Sequence, residues 1–341
     1  MTTVVAILGL LGIGLTAYAL LGGADFGAGL WDLLAGGAAA GAPQRARIEH
    51  SIGPVWEANH VWLIFVLVLF WTGFPPAFAA FASTLYIPLT LVAFGVIARG
   101  AAFAFRKAST ELWQQRLFGA AFAISSVVTP FFLGAIAGAL ASGRVPPGIA
   151  RGDIVRSWWN PTSMYTGVLA LVTMAYLAAV YLTRDAQRAG EDEVAEQFRR
   201  RGLAAGIVAG VIALAGPLVL HADAPAFARE LTGSGFPEML VSALCGIASL
   251  VLLWFRRYVA VRFTAALAVT AVLWGWGIAQ YPNLLPGLTV AEAAADPTVL
   301  RNTLWIFAIG ALVLIPSLGW MFVLFQREPG AHEAVGPHVS R

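Results

Sequence analysis

The sequence predicts an all-α, polytopic membrane protein with nine transmembrane helices, its N-terminus outside and its C-terminus inside. Three observations carry this. Of its 341 residues, 59% are hydrophobic and only 11% charged, whereas an ordinary soluble domain is about 25% charged. The mean hydropathy is +0.77, and apolar windows long enough to cross a bilayer recur along the whole chain. Lysine and arginine, finally, are shared very unevenly between the two sets of connecting loops.

The windows fall at 3–35, 50–73, 76–103, 117–140, 161–183, 202–221, 239–255, 259–280 and 302–325. The first is read as a retained span. No Lys or Arg precedes Arg45, and the run is far longer than the 7–15 residues of a signal-peptide core. Gly73-Phe74-Pro75-Pro76 is a tight turn, with Pro76 suited to open the third helix. The stretch Arg184–Arg201 carries both signs of charge and extends its flanking helices into water. With the N-terminus outside, sixteen basic residues fall inside, among them Arg45, Arg99, Arg184, Arg199 and Arg256, and five fall outside. That asymmetry fixes the orientation. Residues 1–326 form a single transmembrane domain with halves at about 1–140 and 155–281 and an extra helix at 302–325, consistent with two four-helix bundles. Residues 327–341 form a short hydrophilic tail.

Several classes are excluded. The net charge of +3 is scattered between apolar runs, so it does not mark a nucleic-acid surface. A single cysteine, Cys245, rules out disulfides and cysteine-based metal sites. Loops are short on both sides, so the chain acts within or across the bilayer.

Polar residues inside the first two spans are therefore the informative ones. Asp25 lies in Leu20-Leu21-Gly22-Gly23-Ala24-Asp25-Phe26-Gly27-Ala28-Gly29, where Gly23, Gly27 and Gly29 allow a neighbouring backbone to approach. An ionised carboxylate at a helix centre costs about 2.5–3.5 kcal/mol to insert, so it faces protein or water and often marks an ion path. The bland alternative is that Asp25 staples a neighbouring helix. In the second span, Glu57, Asn59 and His60 open an otherwise apolar run. Glu57 and His60 are three apart and share a face. Their spacing matches half of a di-iron carboxylate site, but no second such pair lies within a span. His60 is either a haem ligand or a neutral imidazole satisfied by a neighbour. A carboxylate in low dielectric, close to a second acid, is suited to bind and release protons. Asp25, Glu57, Asn59 and His60 are accordingly the candidate proton path. Arg99 and Arg106 read as basic flanks at an inner helix end, with a second role as charge partners of the acids.

Three stretches together carry a family resemblance: Asp25-Phe26-Gly27-Ala28-Gly29, Gly53-Pro54-Val55-Trp56-Glu57-Ala58-Asn59-His60-Val61-Trp62, and Arg99-Gly100-Ala101-Ala102-Phe103-Ala104-Phe105-Arg106. In order and spacing they resemble subunit II of the cytochrome bd-type quinol oxidases. The match is dense over residues 15–110 and is mainly one of topology beyond. Gly22 stands where the family has a further acid, Glu57 where Asp is usual, Ala58 for Gly and Ala104 for Glu. The resemblance implies a haem-free subunit in a bacterial cytoplasmic membrane, not catalytic by itself, that packs beside a haem-bearing subunit I. The complex oxidises quinol and reduces O₂ to water. It also implies a structural quinone or lipid as a bound partner, a small single-helix accessory subunit, and a proton route from the inner side.

Two further readings stand beside it. A proton-coupled secondary transporter would use the same acids and need discontinuous helices in both halves. A purely structural scaffold would not need the acids at all.

Overall fold

The computed structural model describes residues 2–37, 39–53, 56–108 and 111–327. Among them, nine helices are long and apolar enough to cross a membrane. The first span is interrupted: α1 (Thr2–Leu20) gives way at Leu21 to α2 (Gly22–Leu33), and the Asp25 N–H reaches the Leu21 carbonyl only at 3.4 Å. Instead of a bare loop, the next segment holds α3 (Ala42–Ile52). Its first turn contains Pro43, and Ile48 and Ile52, four apart, are buried. This helix is too short and polar to span, which is why hydropathy passes over it.

The second span is α4 (Trp56–Gly73). The predicted third helix, 76–103, is two: α5 (Pro75–Thr84) and α6 (Tyr86–Ala108), parted at Leu85. The small apolar face of α5, Ala77, Ala80 and Phe81, is buried by protein. Hydropathy cannot distinguish that environment from lipid, so the two helices read as one window. Next come α7 (Leu112–Ala141), α8 (Pro161–Arg188) and α9 (Asp192–Asp223). Asn160 caps α8, accepting the Ser163 N–H at 2.9 Å. Short α10 (Pro225–Thr232) precedes α11 (Phe236–Trp254) and α12 (Tyr258–Gln280). A two-stranded hairpin, β1 (Asn283–Leu285) and β2 (Leu288–Thr289), leads into α13 (Val290–Ala293), capped reciprocally by Thr289 and Glu292. The ninth span is α14 (Pro297–Arg327). The tail from residue 328 lies outside the described residues.

Of the spans, α8 is the most buried and α14 the least. In the bilayer there is no hydrophobic gain from pairing helices, so close approach of backbones has to hold them together. Gly27 shows this: a Cβ there would fall on the Met174 carbonyl of α8. Gly23 faces the Met174 side chain, and Gly29 faces Ser126 of α7. One apolar cluster, with Trp31, Ile48, Leu177 and Phe198, fills the arginine-rich end. A second, with Ile7, Leu69, Phe74 and Val145, fills the end carrying the N-terminus.

Polar staples close both ends. At the N-terminal end Asp223 accepts two hydrogen bonds from Arg144, at 2.9 and 2.6 Å, and two from Thr162, at 3.0 and 2.6 Å. At the other end Arg47 of α3 clasps Glu191 in the α8–α9 turn with two hydrogen bonds, one of 2.8 Å. Arg47 holds the Glu191 carboxyl below the usual carboxylate range.

Two outcomes follow for measurement. Gly27→Leu drives a side chain into the α8 backbone and lowers stability by about 1–3 kcal/mol or more. A thermal melt of the detergent-solubilised protein reads this, with Gly9→Ala as control because nothing lies within 4 Å of a Cβ there. The Glu191 pKa is depressed in the fold, so its contribution is present above the unfolded value of about 4.3 and lost as pH falls through the folded value. The protection factors of the amides across 42–52, taken relative to the intrinsic exchange rate at each pH, therefore fall on acidification, and Glu191→Gln removes that dependence.

Candidate functional site

The site is built where α2, α4, α6 and α7 meet. Asp25 lies in the first turn of α2, where the interruption at Leu21 turns the helix start toward it. Its carboxylate accepts a hydrogen bond from the Asn59 amide of α4 at 2.8 Å. Both residues are buried, at 5% and 4% exposure. Arg99 of α6 reaches in from the other side and is only 1% exposed. It donates to the backbone carbonyl of Asp25 at 2.7 Å and to the Ser126 hydroxyl of α7 at 2.9 Å. Its guanidinium lies over the rings of Phe26 and Phe122, 4.8 and 4.7 Å from their centroids. Such stacking and forked hydrogen bonding suit a guanidinium better than an ammonium. Ser126 in turn donates to the Phe122 carbonyl at 2.6 Å, which fixes its hydroxyl. Arg99 is thus no basic flank at a helix end. Among the described residues it is the largest fully buried side chain, and it lies beside the acid whose backbone carbonyl it binds.

His60 closes the site from α4. Tyr18, Phe26 and Trp56 surround its ring, with centroids at 6.0, 5.7 and 6.1 Å. Both ring nitrogens are buried without a hydrogen-bond partner, as are the Tyr18 hydroxyl and the Asn59 side-chain oxygen. Buried polar atoms of this kind are commonly met by water. The three aromatic rings stand about 6 Å from the imidazole and pack it into the interior. Among the described residues, no three His, Cys, Asp or Glu side chains are grouped to hold a metal ion.

Glu57 is placed differently. It is exposed on α4, whereas Asn59, two residues on, is buried. Two residues on an α-helix turn through about 200°, so the two side chains leave opposite sides. The rotation of α4 therefore brings Asn59, rather than Glu57, to Asp25. The Arg106 side chain, and Pro54 and Val55 of the second motif, lie outside the described residues.

Sequence reasoning passed over Tyr18, Phe122 and Ser126. Faint signals exist: Tyr18 is seven residues, two helical turns, before Asp25, and Ser125-Ser126 interrupts an apolar span. Neither spacing says which helix will supply a partner. Asp32, a further two turns along α2, is also buried and pairs with Arg45 at 3.5 Å.

If the buried cation balances the buried acid, removing one alone is costly. Arg99→Leu should destabilise the protein by about 3–5 kcal/mol. The double variant Asp25→Asn/Arg99→Leu should regain a substantial part of that loss in the same thermal melt; no recovery would show that the two charges are not coupled.

Comparison with known proteins now adds to this geometry. The family model described as cytochrome bd terminal oxidase subunit II matches residues 2–325. The cytochrome bd ubiquinol oxidase subunit 2 of Bacillus subtilis is 32% identical over 116 residues, 34% of this chain and 33% of that protein. The cytochrome bd-I ubiquinol oxidase subunit 2 of Escherichia coli K12 is 26% identical over 181 residues, 51% of this chain and 46% of that protein. These matches span a third to a half of the relatives' length. In the solved structure of the bd oxidase from Geobacillus thermodenitrificans, one chain superposes with a TM-score of 0.77 at 24% identity, covering 95% of this chain and 99% of that one.

Proposed function

Since the chain belongs to the cytochrome bd terminal oxidase subunit II family, we propose that it serves as the haem-free membrane subunit of a quinol:oxygen oxidoreductase. It packs against a haem-bearing subunit I and contributes a proton route from the arginine-rich side, taken as the cytoplasmic side. The observation that carries this reading is the pair of acids set on opposite sides of α4. Asp25 is sealed inside the chain with Asn59 and Arg99, and Glu57 opens outward from an apolar helix.

A carboxylate left facing lipid would cost about 2.5–3.5 kcal/mol, so the Glu57 face of α4 requires a protein or aqueous cover. Val61, Ile64, Val68 and Trp71 continue the exposed side of this helix. A partner subunit seated on it would bury the acid and the apolar surface together. Around the helix, at about 100° per residue, the order is Asn59, His60, Glu57. His60 therefore stands between the inner site and the outward acid, and its two nitrogens are free to bond water. Asp32, buried on α2 and paired with Arg45 at the arginine-rich end, supports entry from that side. The redox chemistry is supplied by the partner's haems. What this chain's residues do is hold a proton at Asp25 or Glu57, with the rings of Tyr18, Phe26 and Trp56 packed around His60 between them.

The transporter reading loses support from the second half. Its first helix, α8, runs unbroken from Pro161 to Arg188, with no counterpart to the interruption at Leu21.

Replacing Glu57 by Gln removes the titrating group and keeps the shape. Oxygen consumption by the assembled complex should fall about a hundredfold or more, the scale of a lost proton-transfer group, while its haem absorbance stays near normal. Unchanged turnover in the Asp25→Asn/Glu57→Gln double variant would leave the chain as a scaffold.

A further inference from the structure

On the side of the molecule formed by α9 and α11, an open groove of about 240 Å³ runs up from the arginine-rich face. We propose that this groove binds an anionic phospholipid, with an acyl chain along the groove and its phosphate held by Arg200 and Arg256. Every lining residue is apolar: Leu203 and Ile207 from α9, and Leu250, Val251, Trp254 and Phe255 from α11 and its end. Arg200, Leu203 and Ile207 are spaced by three and four, so they share one face of α9. Arg256 and Arg257 follow the groove's last two residues directly. Cations are thus gathered at one end of an apolar channel, matching the charge distribution of a phospholipid.

The two guanidiniums are also positioned. Glu196 accepts a hydrogen bond from Arg200 Nε at 3.1 Å and from Arg256 Nη2 at 3.3 Å. One carboxylate thereby holds two arginines, with Arg199 bound to it as well, and the group keeps a net positive charge. Arg200 and Arg256 remain 76% and 65% exposed, with their other N–H groups turned to solvent. The backbone at Arg256 is left-handed, φ 59°. The Arg257 N–H bonds to Leu252 O at 2.8 Å and the Arg256 N–H to Leu253 O at 3.2 Å. This is a helix-ending turn whose left-handed position is ordinarily glycine. An arginine there bears a conformational cost that glycine would avoid, and its side chain lands at the mouth of the groove.

Depth agrees with a lipid occupant. Trp254 is 66% exposed and adjoins the arginines, the position of an aromatic at the boundary between acyl chains and headgroups. Basic pockets between transmembrane helices recognise anionic headgroups. A quinone, neutral at its head, would not need the arginines. The groove is on α9 and α11, away from the Glu57 face of α4, so it does not rest on the proposed proton route.

The test uses the intact complex in phosphatidylcholine nanodiscs doped with brominated phosphatidylglycerol or brominated phosphatidylcholine. Fluorescence lost between the wild type and Trp254→Phe isolates quenching of that tryptophan. Brominated phosphatidylglycerol should quench it at about fivefold lower mole fraction than the zwitterionic lipid, and Arg200→Gln/Arg256→Gln should erase the preference. Ile207→Phe, which fills the groove but keeps the arginines and adds no tryptophan, should erase it too, and serves if the double variant does not assemble. Equal quenching by both lipids in the wild type would mean ordinary surrounding lipid and overturn the proposal. So would absence of quenching by either, which would mean that protein covers the groove.

Discussion

A guanidinium buried in a membrane has to find every one of its interactions inside the protein, and Arg99 imposes that demand on three helices at once, its own α6 and the neighbouring α2 and α7. It sits at 1% exposure, bonded to the backbone of α2 and the serine of α7 and stacked between Phe26 and Phe122. Without these contacts the charge could not stay dry. Several local oddities follow from it. Ser126 in α7, the phenylalanine beside Asp25 and Gly29, which faces Ser126 and Phe122, close the shell around one cation. The same closure brings Asp25 and Asn59 together across α2 and α4.

The rotation of α4 then divides labour between two acids. Because the chain buries Asn59, Glu57 has to point away. The result is a helix polar on both sides near its start and apolar beyond it, which is a poor surface for lipid and a good one for a protein partner. His60 lies between the two sides with unmet nitrogens. That arrangement is what the proposed proton route rests on.

The opposite side of the molecule is organised by different physics. There, α9 and α11 present apolar residues to the membrane, and charge is confined to their ends. Arginines on this rim serve the boundary between lipid and water, whereas Arg99 serves the interior. Their chemistry is identical, and only burial separates the roles.

Span number, the clustering of basic residues and the three family motifs were all readable in the linear chain. Insertion into a bilayer is close to a sum over local windows, so composition within about 20 residues decides it. The importance of Asp25 was legible for the same reason, since a charge in an apolar window is conspicuous wherever the helix faces. Its partners were not. Whether Arg99 is a flank or a partner of Asp25, and whether Glu57 or Asn59 meets that acid, depends on the rotation of each helix about its own axis, and hydropathy is blind to rotation. The break at Leu21, the helix α3 and the division of α5 from α6 were hidden likewise, because apolar protein and lipid give a window the same score. Helix rotation and helix breaks are set by glycines meeting a particular backbone and by polar groups meeting particular partners. Those contacts join residues far apart in the chain, and they exist only once the helices have packed.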